Sequence, residues 1–356
     1  MTSTPATPTS KALAQAKKDN RRIEIESLRS ESATYYANPD GKTLRLEQHL
    51  EPIRVKNASG SGFTPIDTTL VEADGVIKPK AAKGSLTLSA GGNTSAIKSK
   101  SGDIAAQIDA PQKLPKPTLK GNTATYSSTY GKGIDLVVTA TATGFRQQIV
   151  IRERPAGPVT FRIPVELPKG ISFGKNTQGQ PTLKSADGKK SLDIRTAALL
   201  DAAAADANAD LGAVRVGRAQ VSLDGSALVY TPDPAFLAAP ATTYPVTMAA
   251  VDDDWYECEL GGDPCPAGDP MDTYINDVDL TDSWDMHYRD QMWVGKSYAS
   301  NIAKRWRAYI QFPLPPASDP FWGSRIQNAD LVLWNYLSND CGLYVGSGIT
   351  ARRVTS

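Results

Sequence analysis

An all-β chain of two sandwich-like units, the second an incomplete jelly-roll-type module, follows from three features of the sequence. Short stretches in which apolar and polar residues alternate recur along most of its length. Turn formers separate them, with 28 Gly and 25 Pro among 356 residues. The composition then changes abruptly near residue 252. Residues 1–251 carry 31 Lys and Arg against 22 Asp and Glu, whereas residues 252–356 carry 8 against 16. All six Trp and all three Cys lie after residue 254. Such a coincident shift marks a domain boundary, and the length suits two domains. With 40% hydrophobic and 22% charged residues, the chain can build a packed core.

Residues 1–21 open with "MTSTPATPTSKALAQAKKDN", a Ser/Thr/Pro-rich disordered linker that runs into a short polar helix or coil. This stretch lacks the apolar core of a secretory signal, so the chain is either cytoplasmic or has lost its original beginning. No run of about 18 apolar residues is found, which excludes a membrane-spanning helix.

Residues 22–251 read as a β-rich leader domain. "RIEIESL" and "TLRLEQHLEPIRVK" alternate around the turn "NPDGK", and "FTPIDTTLV", "EADGVIKPK" and "KGSLTLSAGG" continue the rhythm. "GIDLVVTATATGFRQQIVIRE" is the clearest hairpin, two apolar strands around "TATG". "PVTFRIPVELP" and "GSALVYTPD" are further strands. The Ala-rich segment at 196–217, "TAALLDAAAADANADLGAVRVG", instead favours a short helix or an irregular connection. The scattered Lys and Arg of this half form neither a basic helix nor an aromatic RNA-binding motif, so no nucleic-acid partner is expected.

Residues 252–271 form an acidic, Cys-containing linker, and residues 272–356 a partial β-sandwich. Its expected strands are "DTYIN", "QMWVGKS", "RWRAYIQFPL", "SRIQNADLVLWNYLS" and "CGLYVGSGITARRVT". "ADLVLWNY" is apolar on both faces, as in a strand buried between two sheets. A jelly roll needs about 8 strands. The five present would leave open edges, so the sequence reads as cut at its C-terminus as well.

Catalysis is not expected. The two histidines, His49 and His287, fall one in each half, and no G-x-S-x-G elbow, H-E-x-x-H, P-loop or dinucleotide fingerprint is present. Between Asp252 and Asp285 there are 12 acidic residues and no Lys or Arg. Calcium, which takes 6–8 oxygen ligands, suits that composition, with Asp272, Asp277 and Asp279 as donors. The competing reading is a solvated acidic loop, since "DVDLTDSWDMHY" lacks the glycine and closing Glu of an EF-hand. Cys258 and Cys265 are separated by a turn-rich "ELGGDP" and would close a disulfide loop in an oxidising compartment. Cys341 is the alternative partner of either, or is free. Trp255, Trp284 and Trp322 lie among polar or turn residues and are candidates to stack on sugar rings.

"DTYIND", "QMWVGKS", "RAYIQFPLP", "IQNADLVLW" and the Cys of "SNDCGLYV" resemble, in order, the DNRLRE domain, a β-sandwich module similar to carbohydrate-binding modules. Upstream, "RIEIESLRSESATYYANPDGKTLRLEQHLEPIRVK", "FTPIDTTL", "TATYSSTYGKGIDLVVTATATGFRQQIVI" and "PATTYPVTM" resemble the leader region of secreted, wall-associated bacterial RHS/YD-repeat proteins and their LamG-containing relatives. The resemblance covers roughly residues 22–356. It implies the non-catalytic front end of a larger extracellular or cell-wall protein. Its partners would be a polysaccharide or cell-wall glycan and the repeats downstream in the same polypeptide. Two alternatives stand beside adhesion, carbohydrate binding or display: an accessory region of a secreted polysaccharide-degrading enzyme, and a structural spacer of an RHS-type toxin. The resemblance supplies no catalytic residues.

Overall fold

The computed structural model describes residues 7–57, 59–101, 104–177, 179–188, 191–194, 197–205, 215–252, 271–276, 294–299, 302–312 and 319–333. The described chain begins with helix α1 (Pro8–Asp19). Thr7 caps it, its Oγ1 accepting from the Ser10 N–H at 3.2 Å, and Pro8 sits in the first turn, where an N–H has no helical partner to lose. Asn20 ends the helix in the left-handed region at φ 48°. One turn apart, Ala12 and Ala16 form a shallow stripe on one side of the helix. It packs against Ile25 and against Ala33, Tyr35 and Ala37 of a three-stranded sheet. That sheet consists of β1 (Ile23–Glu24), β2 (Ala33–Ala37) and β3 (Leu44–Gln48). Of the short polar helix or coil expected to follow the linker, the helix forms, over Pro8–Asp19 within the 1–21 segment. Small side chains let a helix that is polar overall dock closely on a sheet.

β4 (Arg54–Lys56) and β5 (Phe63–Pro65) form a separate ribbon. Five strands then follow as a meander: β6 (Asp67–Ala73), β7 (Val76–Ala81), β8 (Ser85–Ser89), β9 (Ser95–Ser101) and β10 (Ile104–Asp109). A second meander contains β11 (Thr118–Lys120), β12 (Thr123–Tyr126), β13 (Ile134–Ala140) and β14 (Phe145–Ile151). Next come β15 (Phe161–Glu166) and a small sheet of β16 (Ile171–Lys175), β17 (Pro181–Ser185) and β18 (Ser191–Asp193). β19 (Ala197–Leu200), the short helix α2 (Ala202–Ala205), β20 (Val216–Asp224), β21 (Ala227–Pro232), α3 (Pro234–Ala238) and β22 (Val246–Asp252) complete this part.

Fourteen of these strands form one sheet in the order β11-β12-β13-β14-β22-β19-β20-β21-β15-β10-β9-β8-β7-β6. The sheet curls until its two ends nearly meet. On β6 the Leu70 N–H donates to the Gly121 carbonyl in the turn between β11 and β12, at 2.9 Å. The Lys83 N–H donates to Ala142 O at 2.7 Å. Period-two alternation then sends one set of side chains inward from every wall. β13 contributes Leu136, Val138 and Ala140; β14 contributes Phe145, Ile149 and Ile151; β8, β9, β15 and β22 contribute Leu88, Ile97, Ile163 and Val246, all to one core cluster. Burying such an aliphatic or aromatic side chain is worth roughly 1.5–3 kcal/mol. The sheet is antiparallel at every pairing described, so sequence-adjacent hairpins build most of it.

The β13–β14 hairpin stands where the alternation places it, and β15 and β21 match their expected stretches. The Ala-rich segment contains the expected short helix, but only over Ala202–Ala205. Ala197–Leu200 is instead a strand with all four side chains buried, seated between β22 and β20. Two-sided burial of "AALL" overrides the helix preference of alanine.

After residue 270 the described strands are β23 (Met271–Asn276), β24 (Gly295–Ala299) and β25 (Ile302–Gln311), forming a sheet in the order β23-β25-β24. β23 and β25 correspond to "DTYIN" and "RWRAYIQFPL"; β24 overlaps "QMWVGKS" at residues 295–297, and residues 291–293 lie outside the described residues. The fourth expected strand is corrected over its described part. Residues 324–333 form no strand, and Ile326, Leu331, Val332 and Leu333 are exposed. In the turn that precedes them Asp319 accepts from the Tyr35 hydroxyl on β2 and, at 2.8 Å, from the Phe321 N–H. No helix among the described residues is long and apolar enough to cross a membrane.

Candidate ligand groove

The alternation that fills the core also dictates what the outer face of the sheet presents. Leu86 and Leu88 on β8, Ile97 on β9, Ile108 on β10 and Val165 on β15 point inward. Their neighbours must then point outward. In register these neighbours form a row across four strands: Thr87 lies opposite Lys98, Lys98 opposite Gln107, and Gln107 opposite Glu166. At 4.7–4.9 Å between strands, the row is about 14 Å long. Ser85, opposite Lys100, begins a second row beside it. Lys98 and Lys100 are two residues apart on one face, hence roughly 7 Å apart along the strand.

These rows floor a concavity of about 370 Å³, walled by Leu167 and by Lys169 from the turn after β15. Ligand pockets start at roughly 300 Å³, so the groove is of usable size. It is open to solvent, as the face of a sheet must be. A second concavity of about 320 Å³ adjoins it, lined by Asp109, Pro164, Phe173 and Ser226 and sharing Glu166 and Leu167. The Gln107 side chain links the two, its Nε2 donating to Asp109 Oδ1 at 2.9 Å.

Three ammonium groups face one carboxylate in the first lobe. Among the described residues none of the three is ion-paired, in contrast to Lys80 with Asp67, Lys83 with Glu31 and Lys116 with Glu72 elsewhere on the surface. The groove therefore offers cationic donors, hydroxyls, an amide and one acceptor carboxylate. Such groups suit recognition of a polar ligand.

Sequence reading missed this site because its residues are spread from Ser85 to Lys169. One signal was present: in "SAIKSKS" the lysines alternate with Ser on a strand whose other face holds Ile97. Of the residues singled out from sequence, Asp272 lies on β23 opposite Ile310 of β25. Asp277, Asp279, Trp255, Trp284, Cys258 and Cys265 lie outside the described residues. Trp322 is 47% exposed, and its ring meets Phe321 edge to face at 5.4 Å. The structure does not bring it into the groove, whose lining has no Trp. His49 is exposed, and its N–H donates to Ser32 O at 2.8 Å. Among the described residues no three His, Cys, Asp or Glu side chains cluster as a metal site would require.

No protein-family model, curated protein or solved structure matches the chain.

Proposed function

We propose that this chain is a non-catalytic carbohydrate-binding front end of a secreted or wall-associated bacterial protein, serving adhesion or display. The observation that carries the reading is the groove on the outer face of β8, β9, β10 and β15. It aligns Thr87, Lys98, Gln107 and Glu166, groups that exchange hydrogen bonds with hydroxyls, along an open track. An open track admits an internal stretch of polymer, which an enclosed pocket would not. The resemblance of the sequence to RHS-type leader regions and to DNRLRE modules points to the same setting, though it names no ligand. A glycan array probed with the whole chain and with Gln107→Ala is the test. Binding to one or more glycans that weakens in the variant, with unchanged thermal stability, is expected. A blank array, or binding indifferent to Gln107→Ala, overturns the assignment to this groove and favours the structural-spacer reading.

A further inference from the structure

We infer that the groove takes an anionic polysaccharide, one bearing regularly spaced carboxylates, and selects it through Lys98, Lys100 and Lys169; the inference rests on the carbohydrate-binding reading above. Three ammonium groups line one lobe with a single carboxylate, Glu166, and none forms an ion pair with a described carboxylate. Their mutual repulsion falls when an anion enters, whereas a neutral sugar leaves it in place. Lys98 and Lys100 alternate along one strand and so present two charges in line, a pattern suited to a repeating polymer.

The rest of the lining narrows the class. Glu166 stands two strands from Lys98, at the end of the row. A uniformly charged ligand would meet repulsion there. A polyuronate places carboxylates at the lysines and turns hydroxyls toward Glu166 and Gln107, which accept from them. Single-stranded nucleic acid needs flat aromatic platforms for its bases, and the lobe has none.

The test uses the full chain with three probes: polygalacturonate, its fully methyl-esterified form, and oligo-dT. Retention is measured by affinity electrophoresis or interferometry at low and at physiological salt. Binding to polygalacturonate is expected, weakened by added salt and absent for the ester. K98Q/K100Q is expected to lose about tenfold or more in affinity, since two charge-assisted contacts at an exposed site are removed. K98R/K100R should retain most of the binding, and because both lysines are exposed, thermal stability should be unchanged in all variants. Equal binding of the ester would overturn charge selection while leaving the carbohydrate reading intact. Failure to bind polygalacturonate in a chain that still binds other array glycans would overturn the inference alone. Oligo-dT bound as well as polygalacturonate would make the groove a general polyanion site and overturn the saccharide assignment.

Discussion

Gly217 on β20 lies against the ring of Phe236 in α3, and a Cβ at that position would stand 2.4 Å from the Phe236 Cγ. Phe236 is itself buried, and the Arg215 guanidinium covers its ring at 5.7 Å. The ring cannot swing aside cheaply, so Gly217→Ala forces helix and strand apart. Overpacking of this kind typically costs 1–3 kcal/mol; a loss of about 2 kcal/mol is expected in urea unfolding. A neutral result would show that α3 is free to shift. The groove residues behave oppositely. Thr87, Lys98 and Glu166 face solvent on one side of strands whose other side is core, so their substitution should move binding and leave stability near that of the parent.

Among elements, the β13–β14 hairpin is held at its open end by an ion pair. Asp135 is nearly buried, and its Oδ2 accepts from Arg152 Nε at 2.8 Å and Nη2 at 2.7 Å. Its Oδ1 accepts from the Ser128 N–H at 2.8 Å. Arg152→Ala would leave a buried carboxylate without its cation. Because the arginine is half exposed, water recovers part of the loss, and we expect a destabilisation of about 2 kcal/mol rather than the 3–5 kcal/mol of a fully buried pair. Urea midpoints of R152A and R152K separate charge from geometry: R152K should recover only part, lacking the bidentate fork. The segment at 324–333 is a different case. Val332 is 84% exposed between two exposed leucines. Val332→Asp should therefore leave the unfolding midpoint unchanged within about 0.5 kcal/mol. The same change should reduce self-association in sedimentation, since contiguous exposed apolar residues promote it.

For the whole molecule, closure of the large sheet depends partly on buried phenols. The Tyr126 hydroxyl on β12 reaches across to donate to Ser89 O at the end of β8, at 2.6 Å, and burial raises its pKa. Burial and then the Asp319 carboxylate raise that of Tyr35, which ties β2 to the turn at 319–324. An unfolded tyrosine ionises near pH 10. Below that pH both states keep the proton and the full contribution is present. Above it the unfolded chain releases a proton that the folded chain retains, so stability falls with rising pH, by up to about 1.4 kcal/mol per pH unit for each such group. Denaturation between pH 9 and 12 should show this decline, and Tyr126→Phe should flatten it while costing about 1 kcal/mol at neutral pH. How far this was legible from the chain varies by element. Alternation and turn residues were enough to locate the β13–β14 hairpin, β15 and β21, because strand period and turn preference are properties of near neighbours. "AALL" at 197–200 was not, and "KALAQA" in α1 was legible only as helix or coil, since what alanine adopts depends on what covers it. Likewise "ADLVL" is apolar enough for a core strand, yet the chain leaves it exposed. The groove lay furthest from reading, because it exists only once β15 pairs with β10 and brings Glu166 beside Gln107. Alternation along the chain carries the all-β class and most strands with their inward faces; which strands become neighbours follows from core burial and hydrogen bonds between residues far apart in the chain.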